Sequence, residues 1–197
     1  MQKEIRLFGK WDYTGVTIDD AGLKDSISLY PMIYPHSFGR HAEKRFSKDK
    51  VNVVERLVNG LSHFGKIYSK NTGRMGGKKQ RVIKTVRTAF DIIHLKTNKN
   101  PLDILVQAII NAGPNEDTTR ISYGGTVYHV SVDVSPTRRI DLAIRYIAEG
   151  ARLASFASAR PFEETLADEI ITAASGDLNS YPIKKKQDQE RMAMASR

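Results

Sequence analysis

From residue 51 onward the apolar positions recur at helical spacing. Val51, Val54, Leu57, Val58 and Leu61 share one face of a helix in "DKVNVVERLVNGLSHFG", for which Gly65 is a plausible stop. Val82, Ile83, Val86, Phe90 and Ile93 repeat the pattern in "KQRVIKTVRTAFDIIHLKT". A third helix is predicted in "NPLDILVQAIINAGP", where Asn100 can cap, Pro101 suits the first helical position and Gly113 can end the run. The period then changes from helical to alternating. Tyr128, Val130, Val132 and Val134 fall on one face of a strand, and Val127, His129, Ser131 and Asp133 on the other. Gly124-Gly125 supplies the positive φ angles of a tight turn before it, which predicts a β-hairpin near 117–134.

Helical period returns in "SPTRRIDLAIRYIAEGARLAS", with Ser135 as the expected cap, Pro136 behind it, and Ile140, Ile144, Ile147 and Ala151 as a core stripe. "RPFEETLADEIITAASG" is a further amphipathic helix, with Gly176 past its end, and "IKKKQDQERMAMASR" is helix-capable but weakly apolar. Residues 1–36 hold no helical period. They are rich in Gly, Pro, Asp and aromatics, with short strand-like pieces such as "KEIRLF", and read as an N-terminal extension laid across the domain or a partner. The fold class expected is mainly α: a bundle of about six helices over 37–197, with one protruding hairpin and an extended N-terminal segment.

Charge changes this picture. The 197-residue chain carries 31 Lys and Arg against 22 Asp and Glu, a net charge of +9, and that excess points to a polyanion or an anionic membrane surface. Its distribution is uneven. From Arg56 to Phe90 there is no acidic residue, while Arg56, Lys66, Lys70, Arg74, Lys78, Lys79, Arg81, Lys84 and Arg87 lie within it. Arg40, His41, Lys44, Arg45, Lys48 and Lys50 form a second cluster, and Lys184, Lys185 and Lys186 begin a third. One such cluster is ordinarily a solvated face, but three on a helical scaffold read as a distributed phosphate-binding surface. Arg138 and Arg139 stand in the first turn of their helix, where a cation costs about 0.3–1 kcal/mol against the helix dipole. Two readings fit: a phosphate clamp completed by the free NH groups, or pairing of an arginine with a carboxylate such as Asp141 or Asp133. Arg120 beside Tyr123, Tyr128 and His129 can place cation and ring against exposed bases, or the rings can serve hairpin packing.

Other chemistries find little support. Without cysteine there is no disulfide framework, thiolate metal site or cysteine nucleophile, which suits a reducing cytoplasm. The first residues lack a long apolar core and predict no signal peptide, and "DILVQAIINAG" is too short to span a bilayer. "TGRMGGKKQ" fails as a phosphate-binding P-loop, because Thr72 stands for its first glycine and Lys79 for its magnesium-binding hydroxyl. The histidines show no metal-ligand spacing, and Glu163, Glu164, Asp168 and Glu169 read as the wet face of a helix rather than an acid–base pair. No cofactor and no metal are expected.

The run "YGGTVYHVSVDVSPTRRIDLAIRYIAEGAR" resembles the signature of the family of the universal seventh protein of the small ribosomal subunit. Gly124, Gly125, Thr126 and Tyr128 match its hairpin, and Pro136, Arg138 and Arg139 match the start of the helix after it. "FSKDKVNVVERLVNGL" is similar to the family's first helix, and the likeness covers nearly the whole chain. "FGKWDYTGV", "YPHSFGRHAEKRF" and the long basic insert "NTGRMGGKKQRVIKTVRTAFDIIHL" resemble the archaeal and eukaryotic branch, and "GRMGGKKQ" with that N-terminus the archaeal one.

The resemblance implies a cytoplasmic, non-catalytic protein of the ribosome. It would bind the 3′ major domain of small-subunit ribosomal RNA and nucleate assembly of the subunit head. It would lie near the exit-site tRNA and mRNA, beside other head and platform proteins. Arg40, Lys44, Arg45, Lys48 and Lys50 correspond to the basic entry to the first helix, Lys78, Lys79 and Arg81 to the insert, and Arg138 and Arg139 to the arginine pair. Ile121 and Ser122 stand where other members often carry arginines, which weakens the case for tRNA contact at the hairpin tip. The readings that compete with it are a DNA-binding regulator, with "SPTRRIDLAIRYI" as recognition helix, and an RNA-modifying enzyme.

Overall fold

The computed structural model describes residues 5–62 and 76–197. Among them, six α-helices surround one core: α1 (Val53–Ser62), α2 (Lys79–Thr97), α3 (Pro101–Ala112), α4 (Pro136–Ser155), α5 (Phe162–Ala174) and α6 (Tyr181–Ala195). A two-stranded antiparallel hairpin, β1 (Glu116–Tyr123) and β2 (Thr126–Asp133), separates α3 from α4. The expected stop at Gly65 lies outside the described residues.

Local chemistry accounts for most boundaries. The Asn100 side chain accepts the Leu102 N–H at 3.1 Å, with Pro101 in the first turn behind it. Gly113 closes α3 at a φ of −73°, so its value there is not left-handed freedom. Gly124 and Gly125 turn the hairpin at φ 56° and 82°, angles that L side chains rarely adopt. Ser135 occupies the cap position of α4, but its hydroxyl accepts no backbone N–H, contrary to the capping role expected of it.

The helices meet through α5 and α4. α5 packs against α2, α3, α4 and α6, and α4 against α1, α3, α5 and α6. Leu57, Leu61, Phe90, Ile93, Leu105, Ile109, Ile140, Ile147, Leu166 and Ile170 form the fully buried centre. Residues 5–36 form no helix or laddered strand, yet Leu7, Leu23 and Ile27 are buried in the same cluster. The aperiodic N-terminal region thus lies across the helices and supplies core side chains.

α1 approaches α4 closely because Gly60 has no side chain. A Cβ there would stand 2.7 Å from Ile144 Cγ2. Gly60→Ala is expected to lower stability by about 1–3 kcal/mol through overpacking. The urea midpoints of Gly60→Ala, Ile144→Ala and the double variant will check it, and the double variant should cost less than the sum of the two.

Candidate nucleic-acid interface

Two adjacent charges on α1 organise the basic face. The Glu55 side chain is fully buried and accepts from Lys79 Nζ at 2.7 Å, the Ser37 N–H at 2.8 Å and the Ser37 hydroxyl at 2.9 Å. Burial pushes its carboxyl pKa upward. The bonds from Lys79 and Ser37 and the Lys79 charge outweigh burial and leave it below the usual 4.5. Arg56 is buried too. Its guanidinium donates to Asp141 at 3.0 Å, to the Ser26 carbonyl at 3.1 Å and to the Thr137 carbonyl at 3.5 Å, with Asp49 at 3.8 Å. Glu55 therefore fastens the 37–50 segment and the start of α2, and Arg56 the start of α4.

The 37–50 segment is held as two short 3₁₀ turns, Arg40–Ala42 and Ser47–Lys50. The Ser47 hydroxyl donates to the Lys44 carbonyl at 2.7 Å and to that of His41, and His41 Nδ1 lies 3.2 Å from the Ser37 hydroxyl. Arg40, Lys44 and Lys50 are exposed and have no ion pair among the described residues. The Arg45 guanidinium covers the Phe46 ring at 4.9 Å, and Lys48 pairs with Asp141 at 2.7 Å. Lys78, just before α2, and Arg81, Lys84 and Arg87 on it are exposed at three-residue steps, which wind a cationic stripe along the helix. Lys79, expected on that surface, turns inward to Glu55. Lys70 and Arg74 lie outside the described residues.

The arginine pair on α4 meets carboxylates, though neither of those considered from the sequence. Arg138 donates to Asp117 on β1 at 2.8 Å and remains 60% exposed; Arg139 donates to Asp20 at 3.0 Å and is 15% exposed. Asp141 belongs instead to Lys48 and Arg56, and Asp133 pairs with neither arginine. The Asp117 carboxyl is raised by burial, but bonds from Arg138, Gln189 and the Thr118 N–H bring it below the ordinary carboxylate range.

In the hairpin, Ile121 faces Tyr128 and Tyr123 faces Thr126, while Arg120 faces His129 on the opposite surface. Arg120, with Thr118 and His129, lies toward Met192 and Ser196 of the C-terminal segment. Tyr123, Tyr128, Ile121, Val130 and Val132 are all exposed on the other face.

Of the C-terminal lysines, Lys186 donates to the Asn111 carbonyl at 2.9 Å near the end of α3, Lys185 lies 5.7 Å from the centre of the Tyr181 ring, and Lys184 is exposed. Glu169 departs from the wet-face expectation. It accepts from the Ser180 hydroxyl at 2.8 Å and the Tyr181 N–H at 2.9 Å, so it caps α6, and burial raises its carboxyl despite those bonds. Asp168 pairs with Lys96 and Arg160. The α4 sequence considered as a DNA recognition helix is packed against four other helices. The cleft between α1, α4 and α6 holds about 1420 Å³, and Lys48, Arg56, Lys79 and Asp141 on its wall are already paired with one another or with Glu55. No helix among the described residues is long and apolar enough to cross a membrane.

Residues 23–197 match the family described as Ribosomal protein S7p/S5e. The chain belongs to this family. It is also 55% identical over 195 residues to the small ribosomal subunit protein uS7 of the archaeon Cenarchaeum symbiosum (strain A), covering 99% of this chain and 98% of that protein. The S7p/S5e assignment and its archaeal branch agree with the resemblance carried by "SPTRR" and the N-terminal motifs. A member of this ribosomal family is a structural component and not an enzyme. Sequence reasoning counted Lys84 and Arg87 in the acid-free stretch without placing them on the binding surface, and it passed over the buried Glu55. The three-residue spacing from Lys78 was the available signal for the first two, and nothing local marked the third.

The lowered Glu55 pKa fixes a sign. A carboxylate depressed by folding adds stability above its unfolded value, and this is lost as pH falls from about 4.5 through the lowered folded value. Glu55→Gln in this S7p/S5e chain is expected to cost about 3 kcal/mol at pH 7. The difference from wild type should shrink on acidification, as read from urea unfolding at pH 7 and pH 4.

Proposed function

We propose that this chain binds the 3′ major domain of small-subunit ribosomal RNA and helps nucleate assembly of the subunit head, working in the cytoplasm within the ribosome. The observation that carries the reading is the set of exposed cations with no carboxylate partner among the described residues, Arg40, Lys44 and Lys50 beside α1, Lys78 at the start of α2, and Arg81, Lys84 and Arg87 on it. Phosphates would supply the missing anions, with release of condensed counterions, and the fixed 3₁₀ turns would read the shape of a folded junction. Residues 37–197 act as the RNA-binding domain, and residues 1–36 as an extension that braces it. Arg45, Lys48, His41, Lys184 and Lys185 widen the surface. Lys79, Arg139 and Lys186 position it through their internal bonds, and Arg138 clamps a phosphate while leaning on Asp117. Lys70 and Arg74 belong to the same basic insert.

The hairpin extends toward the exit-site tRNA and mRNA in this reading. Arg120 is its one Lys or Arg, and Glu116, Asp117 and Asp133 lie at its base, so contact would run through the Tyr123 and Tyr128 rings more than through charge. Other head and platform proteins are its neighbours.

Filter binding of the full chain to an archaeal 3′ major-domain transcript and to a scrambled RNA of equal length, across a salt series, tests the proposal. Wild type is expected to prefer the authentic RNA. Arg40→Ala/Lys44→Ala/Lys50→Ala should bind more weakly, and its slope of log K against log salt should fall by roughly one for each phosphate left unneutralised. Equal binding to both RNAs would leave only a generic polycation.

A further inference from the structure

Phe38 and Phe46 are 77% and 70% exposed and lie outside the core cluster, unlike Phe8, Phe90 and Phe162. An exposed phenylalanine alone requires no explanation. Both residues hold positive φ, 55° and 63°, an uncommon conformation for a bulky side chain and one that costs folding energy. Phe8 holds it too, at 54°, but there it seats the ring on the core, whereas at Phe38 and Phe46 it leaves the ring in water. Surrounding bonds maintain it. The Phe38 N–H donates to His36 Nδ1 at 2.9 Å, and Ser37 is tied to Glu55. Beside Phe46, the Ser47 hydroxyl binds the Lys44 carbonyl. Each ring has a planar companion: His36 lies 4.2 Å from the Phe38 ring centre, and the Arg45 guanidinium 4.9 Å from that of Phe46.

The neighbours of the rings decide what covers them. Arg40, Lys44 and Lys50 are exposed without ion pairs among the described residues, in the same segment. An apolar protein surface seated on the rings would desolvate those cations without compensation. Single-stranded nucleic acid offers a π face for each ring and a phosphate for each cation. We infer that Phe38 and Phe46 are stacking platforms for unpaired bases, held in place by the phosphates that Arg40, Lys44 and Lys50 engage. This rests on the RNA-binding reading above and adds the class of nucleotide recognised, an unstacked base within a folded RNA.

The experiment uses the full chain and the 3′ major-domain transcript. Phe38→Leu and Phe46→Leu keep apolar bulk and remove the aromatic face. Each is expected to weaken binding about tenfold, within the range for loss of one stacked base, with an unchanged salt slope and unchanged urea midpoint. Arg40→Ala/Lys44→Ala should instead lower the slope. Phe46→Trp should retain affinity and show emission quenching on RNA addition beyond that of Trp11 in wild type. Leucine variants that bind as tightly as wild type, as a protein-docking role requires, overturn the inference. So does a loss of affinity matched by a loss of stability. Failure of wild type to prefer the authentic RNA is read separately and removes the parent reading together with this one.

Discussion

The arrangement of this molecule depends on two opposite charges placed side by side inside α1. Burying a carboxylate or a guanidinium is costly unless partners meet it with good geometry. Glu55 obtains them from Ser37 and Lys79, and Arg56 from Ser26, Thr137 and Asp141. Those partners come from four separate stretches of chain. These bonds, all made at Glu55 Oε1 and at the two terminal nitrogens of Arg56, tie the N-terminal segment, the start of α2 and the start of α4 together. Glu55 Oε2 and Arg56 Nε are buried without a hydrogen-bond partner among the described residues. Apolar contacts alone are less particular about register, because they are non-directional.

That constraint sorts the cations into two kinds. Arg56, Lys79, Arg139 and Lys186 are spent on holding segments together, each through a bond to a carboxylate or a carbonyl. Arg40, Lys44, Lys50 and the α2 stripe remain in water without carboxylates among the described residues. A net charge of +9 does not distinguish the cations bonded inside the molecule from those left in water. The internal cations orient the outer ones, so positioning and contact are separate tasks for the same residue types.

The helices, the hairpin and part of their punctuation were legible because their causes are local, although Ser135 makes no capping bond and Val51 lies before α1. Asn100-Pro101 and Gly124-Gly125 act within a few residues, and apolar periodicity identifies a buried face wherever the helix lies. The alternation along β2 is likewise local: Tyr128, Val130 and Val132 share a face in the structure as in the pattern. The partners of the charges were not legible. Arg139 finds Asp20 across 119 positions of chain, and Arg138 finds Asp117 on a strand rather than a carboxylate in its own helix. Glu169 looked like a wet-face residue because its helix pattern carries no sign that α6 begins against it. The core role of Leu7, Leu23 and Ile27 was hidden for a similar reason, since an irregular segment has no period to betray its buried side.

The last helix has a mechanical consequence. Its first turn is fastened by Glu169 of α5, and Lys186 grips the end of α3. Further along, Glu190 accepts the Asn115 N–H just before β1, and Arg197 pairs with Glu116. α6 is thereby a strut between the bundle and the root of the hairpin. The root of the projecting arm is thus tied both to residues far along the chain and, through Asp117, to Arg138 of α4, while its two strands hold each other along their whole length.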